Sequence, residues 1–192
     1  MNSPVMRADD LYWSEQMVQE VYRKIILISW NVHNYFLTYA KEANWTPEEK
    51  AGESNLLDRW ILARTKELVA DVTNAFDGYD TVRGTEAIKE FVEDLSTWYL
   101  RRSRGRKEPV FFKTLFDVQL TFAKVIAPVM PYLAEIVYRN LAENFGMKDS
   151  LSVHLEDWPE AETLNREEEQ IVINMALLRE AARSAWAPGV RA

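Results

Sequence analysis

The sequence contains no cysteine, which excludes disulfides and thiolate metal sites and is compatible with a reducing compartment. Its two histidines, His33 and His154, are too far apart for HxxxH or HExxH spacing, so no metal site is expected. Six glycines and seven prolines are few for 192 residues, which disfavours a loop-rich β-sandwich and suits long helices. Long apolar runs are missing too. Ile25 to Trp30 is the longest and contains a serine, so no bilayer span is expected. The opening MNSPVMRADD lacks the apolar centre of a signal peptide. A cytoplasmic protein is the expectation. Enzyme signatures such as GxGxxG, the P-loop and GxSxG are absent as well, and no catalytic residue is nominated.

What is present is apolar and helical. Hydrophobic residues make up 47% of the chain, and seven tryptophans supply large surfaces for a core or an interface. Met17, Val21, Ile25, Ile28, Val32, Tyr35 and Tyr39 recur every three or four positions, with Tyr22, Ile26, Trp30 and Phe36 widening the stripe. Thr46, Pro47 and Glu49 have the spacing of a capping box over a short turn. A second helix carries Leu57, Ile61, Leu68, Val72, Ala75 and Tyr79, interrupted by Arg64 and ended by Gly78. Asp80-Thr81 caps a third, with Ile88, Phe91, Leu95 and Trp98 on one face and a stop at Gly105 and Pro109. A fourth spans about Phe111 to Ala127, with Leu115, Val118, Phe122, Val125 and Ile126 inward. Pro131 opens a fifth with Leu133, Ile136, Val137, Leu141 and Phe145, closed by Gly146. Residues 151–158 read as extended or irregular. Asn165 and Glu168 cap a sixth helix whose stripe is Ile171, Met175, Leu178 and Ala182, followed by a frayed tail.

The expected fold is therefore all-α, an antiparallel helix bundle. Residues 1–148 form the bundle. Residues 149–192 form an extended linker segment and a C-terminal helix, which either covers the bundle or opens a further domain. Trp30, Trp60, Tyr99 and Phe122 are expected in the core, and His33 as a hydrogen-bonded core or rim histidine. The acidic pairs Glu48-Glu49, Glu93-Asp94 and Glu167 to Glu169 suit helix caps and solvated faces.

One stretch runs against the charge of the whole. The chain has a formal net charge of -7, yet Arg101, Arg102, Arg104, Arg106 and Lys107 lie within seven residues, just after Trp98 and Tyr99. Cations at a helix C-terminus complement its dipole, but one or two satisfy that need. Arginine suits bidentate phosphate contacts, and Trp98 shares a helix face with Arg101 and Arg102. Composition alone leaves two readings open: a phosphate-binding surface, or ion pairs with the chain's own acidic groups.

Several stretches, in order, resemble one family. WNVHNYFLTYA (30–40), LDRWILAR (57–64) and IAPVMPYLAEIVYRNL (126–141) are similar to segments of the anticodon-binding domain of class Ia aminoacyl-tRNA synthetases. FVEDLSTWYLRRSRGR (91–106) and SVHLEDWP (152–159) resemble the isoleucyl members more than the valyl ones. The likeness departs at 105–112, where Gly105 and Lys107-Glu108-Pro109 replace a longer loop and an aromatic pair. The resemblance implies a helical domain that grips the anticodon stem and loop of tRNA(Ile). Trp98, Arg101, Arg102, Arg104, Arg106, Lys107 and Arg64 are the candidate tRNA-binding residues, and Arg59 is a lesser one. The HIGH and KMSKS signatures are missing, so ATP and Mg²⁺ would be used by catalytic domains of a parent chain, beside its editing domain, and this part would be inactive alone. The alternatives are the valyl equivalent and a free-standing helical scaffold that docks an acidic protein through its basic turn.

Overall fold

The computed structural model describes residues 14–147 and 151–186. The MNSPVMRADD opening, the expected boundary at 148 and the tail beyond Trp186 lie outside them. The described residues form six helices and no strand. The first, α1, is one rod made of Glu15–Val21, Tyr22–Ile26 and Leu27–Glu42, the middle piece being π-type. Leu56–Asp77 is α2. Thr81–Glu93, the π-type Asp94–Leu100 and Arg101–Ser103 run on as α3. Pro109–Ile126 is α4, Pro131–Phe145 is α5 and Arg166–Trp186 is α6. Helices α2 to α5 are joined by short turns, so each doubles back on its predecessor.

The helix starts follow local chemistry. Asn55 caps α2: its Oδ1 accepts from the Asp58 N–H at 2.9 Å, while Asp58 Oδ2 accepts from the Asn55 N–H at 3.1 Å. Asp80 Oδ1 accepts from the Arg83 N–H at 2.9 Å to start α3. Asn165 and Glu168 form the expected box on α6. The box expected at Thr46 does not form: Thr46-Pro47 opens only a turn, held by the Glu49 N–H donating to the Thr46 carbonyl. Pro109, expected as a stop, is also the first residue of α4, where its missing N–H has no cost. Gly84 lets α3 lie flush on α2, since a Cβ there would sit 2.5 Å from the Phe76 ring.

The apolar stripes are largely where the spacing places them, with physical exceptions. On α1 the buried line is Ile25, Ser29, Val32, His33, Phe36 and Ala40, rotated from the expected one. A π turn carries one residue more than an α turn, so the inward face shifts after it. Tyr22 is left exposed and Trp30 only half-buried, against the expectation of a core position. Tyr79 follows the end of α2 and is 92% exposed, and Ile136 lies on the outer side of α5. Leu178 and Ala182 are also exposed, because Arg179 takes the inward position one turn beyond Met175. Trp60, Tyr99 and Phe122 are buried as expected. Of Leu151, Val153 and Leu155, only Val153 is buried, in a 3₁₀ turn tied to α5 by Glu135.

His33 is buried between α4 and α5. Its Nδ1 lies 2.8 Å from Gln119 Oε1 and its Nε2 3.1 Å from Asn140 Nδ2. The arrangement fits the neutral ring: Nδ1–H donates and Nε2 accepts. Burial pushes its pKa down, partly countered by the Gln119 bond. The unfolded chain therefore binds a proton that the folded chain resists. The stability His33 contributes is fully present above about pH 6.5 and is lost as pH falls below it. Urea unfolding at about pH 7.5 and about pH 5.5 should show this loss, and His33→Gln should reduce it. An undiminished loss in the variant would assign it to other groups.

Candidate nucleic-acid interface

The basic stretch closes α3 and turns into α4, and the fold divides its cations into two kinds. Arg106 is committed inward. Its Nη1 and Nη2 donate to Asp58 Oδ1 and Oδ2 at 2.7 and 2.8 Å, and its guanidinium lies 5.2 Å from the Phe111 ring. The Asp58 bond, against some desolvation, raises the Arg106 pKa further. Arg64 is likewise held: Nε donates to Asp94 Oδ2 at 2.9 Å and Nη1 pairs with Glu67. Burial disfavours the Arg64 cation, but Asp94 and Glu67 outweigh it and the pKa is raised. Arg59 pairs with Glu167. Lys107 reaches Glu42 at 3.1 Å and lies 5.7 Å from the Tyr39 ring, yet remains half exposed.

Arg101, Arg102 and Arg104 form the second kind. All three are exposed, and among the described residues no carboxylate pairs with them. Arg102 lies over Trp98, its guanidinium 4.5 Å from the ring centre. Trp98 is half-buried and also meets the Arg179 guanidinium at 5.2 Å, so α6 braces it from behind. Three cations without a carboxylate partner among the described residues therefore lie together at the C-terminus of α3, where dipole and side chains have opposite sign and the cations are stabilised without carboxylates.

Three residues behind this surface were not singled out as buried centres by the sequence. Asp58 is wholly buried and its carboxylate accepts four bonds, from the Asn55 N–H, Tyr99 Oη and both Arg106 Nη groups. Asp94, expected on a solvated face, is buried between Arg64 and Arg179. Arg179 carries no signal in the apolar spacing, which passes through Leu178 instead. A charged cleft of about 580 Å³ opens beside this pair, between α3 and α6. Among the described residues no cluster of histidines and carboxylates could hold a metal ion, and no helix is long and apolar enough to cross a membrane.

An all-α bundle whose residues 58–186 match the family model described as the anticodon-binding domain of tRNA ligase belongs to that family. Among individual proteins the chain is similar to the isoleucine–tRNA ligase of Dehalococcoides mccartyi (strain CBDB1), 37% identical over 93% of this chain and 19% of that protein. It is 37% identical to the isoleucine–tRNA ligase of Protochlamydia amoebophila (strain UWE25), over 88% of this chain and 17% of that protein. The Thermus thermophilus isoleucine–tRNA ligase is 36% identical over 93% of this chain and 18% of its own length. The chain thus spans about a fifth of the length of these relatives. Their shared name does not favour the valyl reading.

Proposed function

We propose that this chain grips the anticodon stem and loop of tRNA(Ile) as part of an isoleucine–tRNA ligase. The observation that carries the reading is the set of exposed arginines, Arg101, Arg102 and Arg104, with no carboxylate partner among the described residues, in a domain of the anticodon-binding family. Each can meet phosphate oxygens through two N–H groups, and such contacts position RNA without reading its sequence. Trp98 acts by holding Arg102 in place, because guanidinium groups already lie against its ring. Lys107 adds a weaker contact that competes with Glu42, while Arg106, Arg64 and Arg59 act within the protein. Isoleucine activation with ATP and Mg²⁺, and editing, belong to catalytic and editing domains of the parent chain in the cytoplasm. The fragment is inactive in aminoacylation alone.

Arg102→Ala tests this. The residue is exposed and, among the described residues, has no carboxylate partner, so its loss should change unfolding free energy by no more than about 0.5 kcal/mol. The log–log dependence of tRNA affinity on salt should become shallower by about 0.7–0.9, the share of one phosphate contact. Unchanged affinity and slope would instead favour a basic turn that docks an acidic protein.

A further inference from the structure

Arg106 lies in the same basic run as Arg104 but does a different job. Its fork is closed on Asp58, a carboxylate with no exposed surface, at the N-terminus of α2. Tyr99 Oη, from the last turns of α3, donates to the same carboxylate at 2.7 Å. Burial and the neighbouring Asp58 charge push the Tyr99 pKa far up, so it stays a donor. The four bonds on Asp58 use the acceptor positions of both oxygens, leaving none for a ligand. Three parts of the fold therefore meet at one side chain: the start of α2, the end of α3 and the turn into α4. The turn's other side-chain contacts, Arg106 to Glu108 at 3.3 Å and Lys107 to Glu42 at 3.1 Å, both go to exposed carboxylates. Gly105 takes φ +91°, a conformation that side chains rarely adopt, and the Arg106 N–H donates to the Ser103 carbonyl at 3.1 Å.

We infer that Asp58, with Arg106 and Tyr99, is a positioning device: it anchors the turn after α3 so that Arg101, Arg102 and Arg104 are presented in a fixed arrangement to tRNA. Arg106 is then an anchor and not a phosphate contact. The inference rests on the tRNA-gripping reading above. Preorganisation of this kind reduces the ordering cost of binding, so it raises affinity without adding a charge contact. It also predicts a sign opposite to simple electrostatics. Removing the negative charge of Asp58 near an RNA surface should strengthen binding if charge alone mattered. Losing the anchor should weaken it.

The test compares the unaltered 192-residue chain with Asp58→Asn, which keeps the volume and one acceptor oxygen. Two quantities are measured: tRNA(Ile) affinity across a salt series, and amide hydrogen exchange at residues 104–107. The expected result is a severalfold loss of affinity at unchanged salt slope, with faster exchange confined to the turn. Tighter binding with a slope steeper by about 0.7–0.9 would mean that freed Arg106 reaches a phosphate, and would overturn the anchor. Equal binding with unchanged exchange would overturn it too. Tyr99→Phe removes one donor without altering charge. It should shift both readouts in the same directions by less, and it decides the question if Asp58→Asn does not fold. If the unaltered chain binds no tRNA, the tRNA reading falls; if it binds and both variants bind equally well, only the anchor does.

Discussion

Trp60→Ala is expected to lower the unfolding free energy by about 3–5 kcal/mol, measured by urea denaturation at neutral pH. Trp60 sits in the first turns of α2, 1% exposed, and is among the largest fully buried side chains of the core. Its ring also has the Arg179 guanidinium 6.0 Å from its centre, so truncation would open a cavity between α2 and α6 and remove a face on which that arginine rests. Neighbours drawn from different rigid helices relax only partly into such a space. A change near the surface-substitution range of about 0.5 kcal/mol would mean that the inward face of α2 is misplaced.

Asp94→Ala should also be strongly destabilising. Asp94 has 3% of its side chain exposed and faces Arg64 and Arg179, themselves only 19% and 17% exposed. Removing the carboxylate strands two arginines in poorly solvated positions. Breaking a buried pair by deleting one partner costs roughly 3–5 kcal/mol. The low end of that range applies here, because both cations keep some solvent contact and Arg64 keeps Glu67. The effect should be localised as well. Arg179 braces Trp98, so loosening α6 should lower tRNA affinity in proportion to the arginines' lost order. Asp94→Asn, which retains hydrogen-bond acceptance, should recover part of the stability. Equal losses for Asn and Ala would show that hydrogen bonding to Asp94 contributes little beside its charge.

These cases show what periodicity could and could not reveal. The six helices, the caps at Asp80 and Asn165, and most of the stripes of α2 to α5, Tyr79 and Ile136 excepted, are local properties, set within a few turns of chain, and the spacing of apolar residues finds them. The π turns of α1 and α3 are not local in this sense. Nothing in Tyr22–Ile26 or Asp94–Leu100 announces an extra residue per turn, so the buried face of α1 was displaced and Trp30 was expected too deep. Arg106 illustrates the limit for the site. By sequence it is one cation among five, and only the fold brings it to Asp58, 48 residues earlier. A lone aspartate within the apolar LDRWILAR stretch was the available signal, and its role as a cap accounts for only part of it.

The most direct test of the central claim is an anisotropy titration of this chain with tRNA(Ile) and with a non-cognate tRNA at two salt concentrations. The account predicts binding that weakens with salt by about 0.7–0.9 log units per log unit for each phosphate contact, and tighter binding of tRNA(Ile) if identity is read within this domain. Equal, salt-sensitive binding of both would reduce the domain to an electrostatic grip, with specificity supplied elsewhere in the parent chain. No binding of either tRNA even at low salt would contradict the claim and leave the arginines at the end of α3 as a surface for a protein partner.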